Sequence, residues 1–103
     1  MKNITIVTDQ ISRTALAALR TAGVNEVTVT EDRALRRGYA VNAEPGAPSF
    51  RRANRFTANY RIDLTVEDDA VGTVFDALSF AYGAGFFGDA EAWVNSPAAA
   101  MAA

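Results

Sequence analysis

The chain has 103 residues and a mass of 11.0 kDa, which is enough for one compact domain. Half of its residues are hydrophobic and 21% are charged, a balance typical of a folded globular protein. It has no cysteine and no histidine, so thiol chemistry, thiolate metal sites and the most common general base are excluded. No apolar run approaches the roughly 18 residues of a membrane-spanning helix. We therefore expect a cytoplasmic protein that is not an enzyme.

The net charge of −2 conceals two regions of opposite charge. Residues 33–61 contain seven arginines and one acid, a local charge of +6, whereas the rest of the chain carries a charge of −8. A basic segment of this kind usually contacts an anion or an acidic partner, although arginine-rich solvated loops also occur. Nucleic acid would use the same arginines, but the acidic remainder and a pI of about 5.0 argue against it.

The first third of the chain is typical of a strand, a helix and a second strand. Residues 3–8 are rich in β-branched side chains, which predicts a strand. Ser12 is a predicted helix N-cap, and apolar residues at helical spacing then precede Gly23: Ala15, Leu16, Leu19 and Ala22. Residues 27–30 alternate apolar and polar side chains and predict the second strand. Residues 31–59 show no period, so we expect a long loop there, and a loop of this length in a compact domain is normally functional or mobile.

Regular structure returns at residue 60. Residues 60–67 alternate apolar and polar side chains, which predicts a third strand. Asp68 and Asp69 are predicted to cap a helix that ends at Gly83 and Gly85, and its apolar face consists of Val71, Val74, Phe75, Leu78 and Tyr82. Residues 92–94 predict a short last strand. The alanine-rich residues 98–103 are expected to form a frayed or disordered tail.

The order of elements is therefore β-α-β, a long loop, and β-α-β. Two such halves with right-handed crossovers predict an α+β, ferredoxin-like fold in residues 1–97. This fold has a four-stranded antiparallel sheet with both helices on one face. The predicted core consists mainly of Leu19, Ile62, Leu64, Val66, Phe75 and Leu78.

Two stretches resemble the nitrogen-regulatory PII signalling proteins. The first is residues 61–69, RIDLTVEDD; the second is residues 85–89, GFFGD, followed by the last predicted strand and Ser96-Pro97. In that family the second region contains Thr-Gly, two variable residues and Gly-Asp-Gly-Lys. The order of elements and the long loop are also similar, so the resemblance covers residues 3–97. Its most specific part is the spacing from Gly85 to Val94.

The resemblance implies a homotrimeric signal-transduction protein. Such a protein would bind an adenine nucleotide (AMP, ADP or ATP) between adjacent subunits and control a membrane transporter or a metabolic enzyme through residues 33–59. Thr28 would lie near the adenine, and residues 84–91 would form the turn that faces the phosphates. The expected ligand-binding residues are Thr28, Arg36, Arg37, Gly38, Gly85, Phe87, Gly88 and Asp89. Neither a covalent cofactor nor a metal site is expected.

Several positions depart from the family pattern. Ala84 stands where the family has a threonine, Ala90 where it has its second glycine and Glu91 where it has a lysine. The family's two C-terminal phosphate-binding arginines have no counterpart in the sequence. These departures resemble those of a divergent PII-like branch that is linked to bicarbonate uptake and carboxysomes. Some members of that branch sense bicarbonate together with a nucleotide. Because a carboxylate repels phosphate, we expect no strong dependence on a triphosphate.

Other interpretations of the same residues remain open. The glycines around residue 85 also suit a simple helix end and turn, and the nearby aromatic residues suit a core or a subunit interface. The carboxylates of Asp63, Glu67, Asp68 and Asp69 suit helix caps and solvated surfaces. The alternative function is an interaction protein whose arginine-rich loop binds an acidic partner without a small-molecule site.

Overall fold

The computed structural model describes residues 1–31, 43–52, 59–85 and 89–96. Within those ranges the chain forms five strands and two helices. They are β1 (Lys2–Thr8), α1 (Arg13–Thr21), β2 (Val24–Glu31), β3 (Ser49–Arg52), β4 (Tyr60–Val66), α2 (Val71–Gly83) and β5 (Ala90–Val94). The predicted tail at residues 98–103 lies outside the described residues.

The five strands form one antiparallel sheet in the order β2-β4-β1-β5-β3. β1 occupies the centre, where Thr5 pairs with Asp63 of β4 on one side and with Trp93 of β5 on the other. Among the described strands β2 lies at one edge and pairs with β4 alone, with an irregularity near Val24. The sheet therefore brings together the first and last strands of the described chain.

Both helices pack on one face of the sheet. The buried residues of α1 and α2 form a single apolar cluster with alternate residues of the strands, among them Ile4, Ile62 and Val94. Leu19, Phe75 and Leu78 supply the helical side of this cluster, and every residue of the predicted core is buried: Leu19, Ile62, Leu64, Val66, Phe75 and Leu78. The period-two and helical patterns correctly located the core.

The prediction of a four-stranded sheet is wrong, because β3 lies inside the segment predicted to be a loop. Its four residues pair with β5 in a register that places Phe50 opposite Ala92. Phe50 is buried, and its ring contacts that of Tyr82 edge to face with centroids 5.4 Å apart. A single buried residue between Pro48 and the arginines gives no period-two pattern, so the strand arises from its pairing with β5 and not from local sequence.

Ser12 caps α1 as predicted, since its hydroxyl accepts a hydrogen bond from the backbone N–H of Ala15 at 3.1 Å. We expect Ser12→Ala to lower the free energy of unfolding by about 1 kcal/mol, because the N–H of Ala15 loses this acceptor at the helix end. Urea denaturation measures the difference. Thr14→Ala, at an exposed position two residues further along the chain, is the control and should change stability by less than about 0.5 kcal/mol. Equal losses in the two variants would contradict a capping role.

The start of α2 differs from the prediction. Asp68 and Asp69 were predicted to cap this helix, but they lie in a short 3-10 turn that precedes it. The N-cap residue is Ala70, which has no side-chain cap. Asp68 instead approaches the N-terminal amine of Met1 at 3.1 Å. The two carboxylates still place negative charge near the helix N-terminus, where the helix dipole favours it.

The beginning of β1 is tied to the segment before β3. Lys2 Nζ contacts Glu44 Oε1 at 2.6 Å, and this hydrogen bond raises the pKa of Lys2 above its ordinary value. The backbone N–H of Glu44 also donates to the carbonyl of Val94 at 2.7 Å, and Ala43 bridges to Asn95. Residues 43–47 are therefore fixed against the ends of β1 and β5.

Candidate functional site

The face of the sheet opposite the helices carries a connected set of polar side chains. Because successive residues of a strand point to opposite faces, the residues between the core positions project here. Three central strands contribute to the set, β1, β4 and β5, with Asn95 directly after β5. The set, which we call the polar network, consists of Asn3, Thr5, Arg61, Asp63, Trp93 and Asn95.

Hydrogen bonds join the network in one continuous chain. The indole Nε1 of Trp93 donates to Asn95 Oδ1 at 2.8 Å, and Asn95 Nδ2 donates to Thr5 Oγ1 at 2.8 Å. Thr5 Oγ1 donates to Asp63 Oδ1 at 2.9 Å. Arg61 Nε donates to both oxygens of Asp63, at 3.2 and 3.0 Å. A side branch runs from Asn95 Nδ2 to Asn3 Oδ1 at 2.6 Å.

The chemistry of its two ends gives this chain a fixed direction. An indole N–H can only donate, so it turns the amide of Asn95 with its oxygen toward Trp93 and its nitrogen toward Thr5. The hydroxyl of Thr5 accepts from that nitrogen and donates its own proton to Asp63. An ionised carboxylate can only accept, so all donors converge on Asp63. The network thus holds Asp63 in one orientation, and Asp63 in turn holds the guanidinium of Arg61.

Burial decreases along the network from β5 toward β2. Thr5 and Trp93 expose 0% and 3% of their surface to solvent. The side chains of Asp63 and Arg61 are 27% and 43% exposed. Thr28 and Thr30 on β2, which pair with Asp63 and Arg61, are exposed. The buried hydrogen bonds of the polar network therefore lead to the guanidinium of Arg61, which is accessible to solvent.

Three of the predicted ligand-binding residues fall on described parts of the chain. Thr28 lies on β2, Gly85 follows α2 with a φ of 81°, and Asp89 directly precedes β5. The carbonyl of Asp89 accepts a hydrogen bond from the N–H of Asp9 at 3.2 Å. β2 and β5 are separated by β4 and β1, so Thr28 is roughly 14 Å of sheet away from the strand that follows Asp89. One subunit does not bring these residues together.

The remaining predicted ligand-binding residues, Arg36, Arg37, Gly38, Phe87 and Gly88, lie outside the described residues. The predicted phosphate-facing turn, residues 84–91, overlaps a strand, because Ala90 and Glu91 belong to β5. Glu91 lies on the helix-free face opposite Val7 and is partly buried.

A second polar group lies at the end of β1. Asn59 Nδ2 donates to the carbonyl of Asp9 at 2.9 Å, beside the bond between Asp9 and Asp89. Oδ1 of Asp9 is buried and accepts no hydrogen bond from the described residues. In the described part of the chain, no group of three acidic side chains is arranged to hold a metal ion.

Sequence reasoning did not identify the polar network. Asp63 was interpreted as a solvated carboxylate, whereas it accepts hydrogen bonds from two strands. The available signal was the polar half of the alternating pattern in residues 60–67, whose apolar half located the core. Trp93 was expected in a core or an interface; it is buried on the face opposite the main core.

The chain was also compared with known proteins. No family model matches it, and no curated protein sequence does. The resemblance to PII proteins therefore depends on the residues and element order given above. Among the described helices, neither is long and apolar enough to cross a membrane.

Proposed function

We propose that this chain is a PII-like regulatory protein of the cytoplasm that forms a homotrimer. It binds an adenine nucleotide, together with bicarbonate in the divergent branch, at the clefts between subunits. It controls a membrane transporter or a metabolic enzyme through residues 33–59. The protein acts by binding and catalyses no reaction.

The order of the strands is the observation that carries this proposal. Without β3, the order β2-β4-β1-β5 is that of two interleaved β-α-β halves with both helices on one face. This order is compatible with the ferredoxin-like arrangement that the resemblance implies, and in that way it supports the proposal. β3 adds a fifth strand at the edge beyond β5. Fold alone does not define a function, so the motif residues must supply the rest of the argument.

The positions of Thr28 and Asp89 support a site shared between subunits. A ligand that contacts both residues within one subunit would have to span three strand spacings, roughly 14 Å. In a trimer, Thr28 of one subunit and Asp89 of its neighbour can face the same cleft. The exposed position of Thr28 at the edge of the sheet is compatible with such a contact.

Titration calorimetry with AMP, ADP and ATP tests the proposal, with sedimentation used to measure the oligomeric state. We expect a trimer that binds all three nucleotides with similar affinity, because Glu91 stands in place of a phosphate-binding lysine. Glu91→Lys should raise the affinity for ATP more than that for AMP, because it changes the local charge by two units near the additional phosphates.

Glu26→Lys is a matched control, since it makes the same charge change at an exposed position on β2. Equal gains for all three nucleotides, or equal effects of the two variants, would show that the phosphates bind elsewhere. A stable monomer that binds no nucleotide would contradict the proposed function itself.

The charge distribution favours one alternative. Residues 33–61 carry a local charge of +6, which suits an acidic protein partner. In that case a polyglutamate peptide would bind in a salt-dependent manner and no nucleotide would compete with it. Competition by a nucleotide would favour the regulatory function.

A further inference from the structure

Arg61 presents hydrogen-bond donors at the accessible end of the polar network. Its Nε is occupied by Asp63, and within the described ranges its Nη amines have no partner. Thr30 of β2 pairs directly with Arg61, so its Cβ lies roughly 5 Å from that of Arg61 on the same face. The hydroxyl of Thr30 likewise forms no hydrogen bond with a described residue and is exposed. Two Nη amines and a hydroxyl are thus available side by side.

The network beneath Arg61 restricts the position of its guanidinium. Thr5 is fully buried and fixes Asp63, and Asp63 accepts both contacts from Nε. Holding a side chain in its binding geometry before the ligand arrives reduces the entropy lost on binding. A surface arginine that only solubilised the sheet would not need a directional chain of buried hydrogen bonds behind it.

We infer that Arg61 and Thr30 bind a phosphoryl group. A guanidinium donates paired N–H groups in the geometry that phosphate oxygens accept, and hydroxyl groups are common additional donors to phosphate. The charge of Asp63 is offset by Arg61 itself and by the hydrogen bond from Thr5. The site lies on the helix-free face and includes none of the ligand-binding residues expected from the family resemblance.

Two different ligands can supply the phosphoryl group: inorganic phosphate, or a nucleotide through its own phosphate. Thr28 and Thr30 lie on the same face of β2, about 7 Å apart along the strand. A nucleotide with its base at Thr28 could therefore place its first phosphate beside Arg61. This second source rests on the proposed function, whereas binding of inorganic phosphate does not.

Titration of the protein with inorganic phosphate, followed by phosphorus NMR at constant ionic strength, tests the site. We expect Arg61→Gln to weaken phosphate binding roughly ten- to hundredfold, because it removes charge-assisted hydrogen bonds. Thr30→Val should weaken it roughly three- to tenfold while leaving the charge unchanged. Arg20→Gln removes an exposed arginine in the last turn of α1 and should alter the affinity less than about twofold.

Parallel titrations with AMP and adenosine identify the source. If Arg61→Gln weakens the binding of AMP but not that of adenosine, the site binds the phosphate of a nucleotide. If it weakens the binding of inorganic phosphate alone, the site binds free phosphate. The inference is overturned if no phosphate binds, or if Arg61→Gln and Arg20→Gln have equal effects. Nucleotide binding that is unchanged by Arg61→Gln would overturn the nucleotide source and leave the proposed function intact.

Discussion

Leu64→Ala is expected to lower the free energy of unfolding by about 2–5 kcal/mol. Leu64 is fully buried in β4, where it pairs with Ile4 of the central strand and with Val27 of the edge strand. Its side chain belongs to the single apolar cluster under both helices. Strands on both sides keep the backbone from closing onto the space left by the lost atoms, so a cavity adds to the lost transfer free energy.

Urea denaturation followed by circular dichroism measures this loss. Val29→Ala is the matched control, because Val29 lies on the adjacent strand on the same face but is 43% exposed. Val29→Ala should lower the free energy of unfolding by less than about 1 kcal/mol, since little apolar surface is removed from a buried environment. Similar losses in the two variants would mean that the sheet centre is not the main source of stability.

Asn95→Ala is expected to lower the free energy of unfolding by about 2–4 kcal/mol. The substitution removes the acceptor of the Trp93 indole and the donor to Thr5 and Asn3. Trp93 and Thr5 are both buried, so water cannot readily replace the lost partner. A buried polar group without a partner loses its hydration with no compensating bond, and this penalty exceeds the net contribution of an ordinary hydrogen bond.

A double-mutant cycle with Trp93→Phe separates this effect from a simple loss of packing. Trp93→Phe removes the donor, so Asn95→Ala should lower the free energy of unfolding less in the Trp93→Phe background than in the wild type. The two losses should differ by about 1 kcal/mol or more. Asn25→Ala is the control, since Asn25 is exposed and bonds Glu67 at 3.4 Å on the surface. Strict additivity of the two substitutions would contradict a direct coupling between the indole and the amide.

Local sequence signals were sufficient for most of the fold. Ser12, the alternation in residues 60–67 and the helical spacing from Val71 to Leu78 each act within about ten residues, and the structure has the corresponding elements. β3 could not be found in this way, because one buried apolar residue, Phe50, followed by two arginines gives no period-two pattern. Its pairing partner, β5, lies about forty residues further along the chain.

The polar network was missed for a related reason. Thr5, Asp63 and Asn95 are ordinary polar residues within their own segments, and each suits a solvated strand face. They meet only because the sheet register joins positions 58 and 90 residues apart. Hydrophobic patterns report which side of a strand is buried, but they do not report which polar residue of one strand lies opposite which residue of another.

The central position of β1 has a consequence for how the protein is made. β1 is synthesised before the other described strands, yet its two neighbours are β4 and β5, whose pairing residues follow it by 52–90 positions. At about 5–20 residues per second, the ribosome would complete β5 roughly 4–17 s after β1. Throughout that interval the apolar β-branched segment lacks at least one of its two native partners, since β4 is made before β5, and its unpaired edge is open to non-native pairing. The slow step of folding should therefore be the closure of β5 onto β1, because contacts between distant parts of the chain form more slowly than local ones.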